Sequence, residues 1–404
     1  MKNQSDELDS ASSVDAHPEQ PEGLKEDFSS IVEELEHVPT TAALAYGKLS
    51  IEQKVTIAGI VLVIVVLVGS LMVNIVTDFV ESGNGPEFGY RLDVDPELYE
   101  DLGANRYPYN SGTQYPSFSS TVAIEGVCIS DPEYACGGSG VVISSRWILT
   151  AAHVVEMLDL DETYIAVGSD YENAEAWYTA EAFYIHPSWR GGDEELPLGF
   201  DIALVELSGH ISGVYPSSWA NQDDIDDSLL GATIFISGYG DYSDYEESYC
   251  DSACLDDGGE YYTQRRAWSN TLDRILELPA KADGNDLMEL KGGHLVYDFD
   301  SPDGNKNPLT SGNLGFNLFT GQVYSYAGEG DSSPNPHALE GTGVPGDSGG
   351  PIFAKIDGKW TVIGLTSHGS ETSDYGDVAF NTRVSVHAEW ICSISSSYSP
   401  ISGC

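Results

Sequence analysis

Apolar residues along the chain fall into two textures. Between Val55 and Thr77 they form one run of 23 residues without a charge. As a helix rising about 1.5 Å per residue, that run would be about 34 Å long, enough to cross a hydrocarbon core of about 30 Å. From Tyr115 onward the pattern changes to short apolar runs rich in Val, Ile, Tyr and Phe and bounded by turn residues. They include STVAIEGV, SGVVISSRWILTA, TYIAVG, AEAFYIH, DIALVELSG, ATIFISGYG, HLVYDFD, WTVIGLTSHG and DVAFNTRVSV. Runs of this kind at regular spacing predict an all-β sandwich or barrel. One stretch near the C-terminus, SVHAEWICSI, predicts a short helix.

The flanks of the long run orient it. Lys48 and Lys54 precede it, and the first cation after it is Arg91, beyond Asp78 and Glu81. The positive-inside rule then places the N-terminus in the cytoplasm and residues 78–404 outside, extracellular or periplasmic. The run is too long for a signal-peptide core and no A-x-A site follows it, so it reads as a single transmembrane helix. Residues 1–54 hold four Lys against twelve acids and read as a largely disordered cytoplasmic tail, with a short amphipathic helix allowed around Phe28–Leu35. Residues 78–115 read as a stalk or leader, and residues 116–404 as a folded domain. The stretch 241–340, with acidic, Tyr-rich and Gly/Pro-rich loops, reads as insertions on that domain.

Charge removes one class of function. With 65 acids against 17 cations the formal charge is −48. Nucleic-acid phosphates would be repelled, so no nucleic-acid partner is expected. The six cysteines all lie beyond the apolar run: Cys128, Cys136, Cys250, Cys254, Cys392 and Cys404. No His stands at zinc-ligand spacing from them, and disulfides in an oxidising compartment are expected, three local pairs being the simplest arrangement.

Three segments carry chemistry. Leu149-Thr-Ala-Ala-His153 places an imidazole at a strand end. Phe200-Asp201-Ile-Ala-Leu-Val-Glu-Leu207 places a carboxylate at the head of an apolar run. Pro345-Gly-Asp-Ser348-Gly-Gly-Pro351 is a Gly-rich turn around a serine. A serine hydroxyl becomes a nucleophile when a base takes its proton, and the base needs an acid to hold its tautomer. Glycines beside the serine let backbone N–H groups face a developing oxyanion.

In this order the segments resemble the chymotrypsin/trypsin family of serine peptidases. ILTAAHVV, IHPSW, FDIALVEL, SGYG, PGDSGGP, GLTSHG and FNTRVSVHAEWI follow the family's landmarks in the family's order over roughly residues 116–396. The resemblance implies two perpendicular six-stranded β-barrels with the active site between them, and protein or peptide substrates. It implies His153 as general base, Asp201 as its orienting acid and Ser348 as nucleophile. Gly346 and Ser348 would form the oxyanion hole, and Ser367, His368 and Gly369 the strand that pairs with substrate backbone. Thr342 stands at the floor of the primary pocket where an acid would signal a strict Arg or Lys preference. Ala379 or Phe380 would form the opposite wall, and Glu340 reaches the pocket only if its loop rearranges.

The departures concern stability and activation. Val154 replaces the family's usual cysteine after the histidine, which leaves Cys136 to pair with Cys128. Asp347 commonly pairs in the family with an N-terminal ammonium made by cutting a leader. No Ile-Val-Gly-Gly stands at the expected place, and the nearest cut site is Arg106-Tyr107, followed by Pro108. A single-chain enzyme with another donor for Asp347 is the expectation. No metal or cofactor is implied, although Asp298-Phe-Asp300-Ser-Pro-Asp303-Gly304-Asn305 has the opening of a calcium loop; without the closing Glu it reads as a solvated acidic turn. The rival classes are a catalytically idle protease-like binding module, which would have lost a triad member or an oxyanion glycine, and an acidic adhesin, which would show repeats or aromatic platforms.

Overall fold

Strand patterning along 121–207 closes a barrel. The computed structural model describes residues 88–404 apart from 107–113, 193–195, 197–198, 222–223, 225–226, 241–262, 277–292, 311–329, 370–372 and 397–398. Strands β1 (Thr121–Cys128), β2 (Ala135–Ser144), β3 (Trp147–Thr150), β4 (Leu158–Val167), β5 (Ala176–Ile185) and β6 (Ala203–Leu207) form a closed antiparallel barrel in the order β1-β2-β3-β6-β5-β4. Successive side chains of a strand face opposite sides. In β2, Val142 therefore joins Val122, Ile124, Ile148, Ile165 and Val205 in one core. Its neighbours Val141 and Ile143 join a second core with Ile236, Ile352, Val362 and Leu365. A single strand thus serves both layers.

The second layer differs from the expected closed six-stranded barrel. It is a seven-stranded sheet of β7 (Thr233–Gly238), β8 (Arg266–Thr271), β9 (Arg274–Leu276), β10 (His294–Asp298), β11 (Pro351–Ile356), β12 (Lys359–His368) and β13 (Val378–Arg383). Its order is β8-β7-β11-β12-β13-β10-β9. The two edge strands are separated in sequence by only Leu272 and Asp273, so the sheet curls back on itself at a bend where no continuous ladder closes it. Three of these strands come from the stretch expected to be insertions. The short C-terminal helix is present, at Ala388–Ile394.

Part of the expected stalk is folded. A helix, α1 (Glu97–Gly103), buries Tyr99 and Leu102, and Phe88 and Tyr90 are buried ahead of it. Tyr90 bridges Gly341, and Tyr99 Oη donates to the Glu340 carbonyl at 2.8 Å. The packed body therefore begins before residue 116. The expected tail 1–54 and span 55–77 lie outside the described residues, and among the described residues no helix is long and apolar enough to cross a membrane.

Two of the expected disulfides are formed. Cys128–Cys136 closes the β1–β2 hairpin and Cys392–Cys404 ties the C-terminal helix to the chain end. Cys250 and Cys254 lie outside the described residues.

The acidic turn is not solvated. Asp298 and Asp300 are buried together with Asp273 and Glu340, and Asp303 alone of the turn's acids faces water. Leu309 N–H and Ser332 Oγ–H donate to the Asp298 carboxylate, and Asp300 N–H donates to Glu340 at 2.8 Å. Among the described residues no group of three or more His, Cys, Asp or Glu is arranged to hold a metal. Burial pushes Glu340 up to about 7 and Asp300 up to about 9, and it raises Asp273 and Asp298 as well.

These carboxyls keep protons in the folded state that an unfolded chain would lose near its ordinary carboxylate range. The stability they contribute is complete below that range and is withdrawn as pH rises through the folded values. The thermal midpoint should therefore fall between about pH 5 and about pH 9. High salt, which screens surface repulsion, should leave much of the slope, and Asp300→Asn should flatten it; calorimetric melts across pH check both.

Candidate active site

The β3 run ends at Thr150, and the small buried Ala151 and Ala152 let a short helix, α2 (Ala152–Glu156), pack directly on the barrel. His153 stands in its first turn. Its backbone N–H donates to Asp201 Oδ1 at 2.9 Å, and its Nδ1 lies 2.7 Å from Asp201 Oδ2. Asp201 is fully buried just ahead of β6. Ser367 Oγ–H also donates to Oδ2, at 2.6 Å, and Thr382 Oγ1–H donates to the Asp201 carbonyl at 2.9 Å. Burial alone would raise this carboxyl. The His153 charge and the bonds from His153 and Ser367 outweigh burial and hold it below the usual carboxylate range. A carboxylate at Nδ1 puts the ring proton there and leaves Nε2 as the basic nitrogen.

Ser348 lies on a loop stitched to both layers. Its carbonyl accepts Ser139 N–H at 2.8 Å, and Ser139 Oγ–H donates to the Gly346 carbonyl at 2.9 Å. Gly349 N–H donates to Thr366 O at 2.7 Å, and Thr366 N–H donates to Gly350 O at 2.8 Å. Gly349 has φ +80°, and a Cβ there would overlap Thr150 Oγ1 and the Ser139 carbonyl, so the turn beside the serine requires glycine.

A pocket of about 360 Å³ opens beside Ser348. It brings together the residues expected from sequence, Thr342, Ser367, His368 and Gly369, with Ala379 on its wall. Phe380 instead stacks on the His368 ring with centroids 5.2 Å apart. Glu340 stays in the buried acid cluster. Sequence reading did not single out Asp377, which also lines the pocket.

The donor for Asp347 is Arg266, the first residue of β8. Both side chains are buried, and the guanidinium is bonded to Asp347 Oδ2. Gly240 N–H reaches Oδ1 at 2.8 Å and Val344 N–H reaches Oδ2 at 2.9 Å. Arg266 also donates to Thr342 O at 3.0 Å and Gly89 O at 3.1 Å, and lies 4.4 Å over the Trp268 ring. The signal in the sequence was small: Arg265-Arg266 beside Trp268 in a chain with 17 cations.

Residues 110–252 match the trypsin family model. The chain carries a trypsin-like serine protease domain. It is 29% identical over 267 residues to the complement C1s subcomponent of Sus scrofa, covering 62% of this chain and 31% of that protein. It is 23% identical over 309 residues to chymotrypsin-like elastase family member 1 of Homo sapiens, covering 72% of this chain and 88% of that protein. Against Spermosin of Halocynthia roretzi it is 45% identical over 47 residues, 12% of each chain. The trypsin-like chain thus spans less than a third of the complement C1s sequence it matches.

Removing one member of the Arg266–Asp347 pair leaves the other charged and out of water. Arg266→Met should cost the trypsin-like domain about 3–5 kcal/mol. Arg266→Met combined with Asp347→Asn should cost less than the single change. Urea unfolding of the three proteins measures both.

Proposed function

We propose that this chain is a membrane-tethered serine endopeptidase working through His153, Asp201 and Ser348. The observation that carries the reading is Asp201 gripping His153 through both its backbone N–H and Nδ1 while a strand of the second layer, through Ser367, holds the same carboxylate. Ser348 Oγ attacks the scissile carbonyl carbon as His153 Nε2 takes its proton. The N–H groups of Gly346 and Ser348 stabilise the oxyanion. The carbon–nitrogen bond then breaks, the leaving amine takes the proton from His153, and an acyl-Ser348 ester remains. A water molecule attacks the ester, giving its proton to His153, and the acid departs as Ser348 regains its hydrogen. The substrate backbone lies along Ser367-His368-Gly369.

The apolar run 55–77 would be the tether in the bilayer, with Lys48 and Lys54 on the cytoplasmic side and the catalytic domain outside. Arg266 supplies the cation for Asp347 that a newly cut amino terminus would otherwise provide, and the chain ahead of residue 107 packs against the domain through Phe88, Tyr90, Tyr99 and Leu102. Both features support a single-chain active form.

A fluorophosphonate probe should label Ser348 in the full chain, and Ser348→Ala should lose labelling and peptide hydrolysis while keeping its melting transition. Asp201→Asn should fold and turn over on the order of 10⁴ times more slowly. Absence of labelling in the folded native protein would leave a protease-like binding module as the reading. Protease added to intact cells should digest a tag at Cys404 and spare one at Met1. N-terminal sequencing of the labelled species should find no new start between residues 92 and 116.

A further inference from the structure

Ser367 joins Asp201 to two imidazoles whose side chains the reaction leaves unused. Its Oγ lies 2.6 Å from Asp201 Oδ2 and 3.2 Å from His368 Nδ1. His368 ends β12, pairs in register with Phe380 of β13 and stacks on that ring. Edge-on to His368, with centroids 5.4 Å apart, stands His294, the first residue of β10. His294 pairs in register with Thr382, whose hydroxyl holds the Asp201 carbonyl. Both imidazoles thus belong to the part of the sheet that grips the acid.

Counting protons fixes both rings. A serine hydroxyl has one proton to donate and lone pairs with which to accept. Asp201 is held ionised, below the usual carboxylate range, so its Oδ2 only accepts and takes the Ser367 proton. Toward His368 the Ser367 oxygen can then only accept, so Nδ1 of His368 carries the ring proton. Burial pushes His368 down to about 3; His294 and His153 also disfavour a second proton, and Asp201 favours one without prevailing. Its Nε2 is therefore bare, and it is buried with no hydrogen-bond partner. His294 is the opposite tautomer. Its Nε2 lies 3.1 Å from the Leu196 carbonyl, which only accepts, and its bare Nδ1 is buried without a partner. Burial pushes that ring down to about 4.

A buried ring nitrogen without a partner is a cost that needs a return. A phenyl ring at position 368 would avoid the cost and keep the stack on Phe380. What it would lack is the Nδ1–H.

We infer that His368 is a positioning residue for the triad: its Nδ1–H, donated to Ser367 Oγ, fixes that hydroxyl with its proton on Asp201. The inference rests on the peptidase reading above and adds a member to its machinery. Without the imidazole the Ser367 hydroxyl is free to turn among its rotamers. Donation into the serine oxygen also polarises its O–H, which strengthens the bond to the carboxylate. Asp201 in turn sets the orientation of His153.

The first test needs no activity. In full-chain Ser348→Ala carrying isotope-labelled histidine, nitrogen NMR near neutral pH should report the Nδ1–H tautomer for His368 and the Nε2–H tautomer for His294. Loss of signal on adding His368→Phe identifies the His368 ring, and His368→Asn serves should the Phe variant not fold. A His368 ring protonated at Nε2, alone or together with Nδ1, would overturn the inference.

The second test is a rescue. An Asn amide can place an N–H where Nδ1 stands, and Phe cannot. His368→Phe should lower kcat about 2–10-fold, and His368→Asn should lower it less. In a Ser367→Ala background the two variants should be equal, because the acceptor is gone. An Asn variant no better than the Phe variant, or a difference that survives Ser367→Ala, would sink the inference, since packing or substrate contact would then account for the loss. If the native protein is not labelled by fluorophosphonate while His368 is the Nδ1–H tautomer, the peptidase reading fails and the bond to Ser367 stands. A labelled, active protein with the other tautomer keeps the peptidase reading and removes His368 from it.

Discussion

A guanidinium and a carboxylate that have both left water must be satisfied by groups that do not move, and Arg266 with Asp347 shows what that demands. Their partners come from Gly89 in the N-terminal arm, Gly240 after β7, and Thr342 and Val344 in the segment leading to Ser348. Displacing any of these would strand a charge or a polar group in a medium that solvates neither. The pair therefore sets the arm, the pocket entrance and the serine turn against one another. A buried pair of this kind is weak evidence for net stability and stronger evidence for a single geometry. Here the geometry concerned is that of the loop carrying Ser348.

Asp201 does the corresponding work between the layers. It lies in the barrel segment ahead of β6, yet Ser367 beside the β12–β13 irregularity and Thr382 of β13 both bond to it. The shift in register between Thr366 and His368 turns Ser367 toward the acid. His153 is thus oriented by a carboxylate that is itself held from the opposite sheet.

Sequence reading went furthest where the chemistry is local. The serine turn needs its glycines within a few residues, and the strands of the barrel fall on the short apolar runs that the sequence shows. His153, Asp201 and Ser348 could be named because each sits in a short contiguous motif. What escaped were charges whose burial is decided by distant chain. Arg265-Arg266-Ala267-Trp268 gives no apolar alternation, yet β8 is buried throughout apart from its last residue, because α1 and the arm cover it. Asp298 and Asp300 looked like a wet turn until Asp273 and Glu340, from far along the chain, closed over them. Asp377 lies in a Gly-rich stretch with no motif of its own, and only the fold brings it to Thr342. The second layer was misjudged for a related reason: a bend of two residues at Leu272–Asp273 makes two edge strands of what reads as one irregular stretch.

The barrel is made from one uninterrupted length of chain, and that has a consequence for the order of events during synthesis. All six strands have been made once Leu207 has left the ribosome, whereas Ser348 follows about 140 residues later. At about 5–20 residues per second that interval is roughly 7–30 s, long enough for an antiparallel barrel to form with His153 and Asp201 already inside it. Arg266 is also translated before the carboxylate it will neutralise. Ser348 arrives on a barrel that already carries His153 and Asp201, and Ser367 and Thr382, which complete the hold on Asp201, follow it.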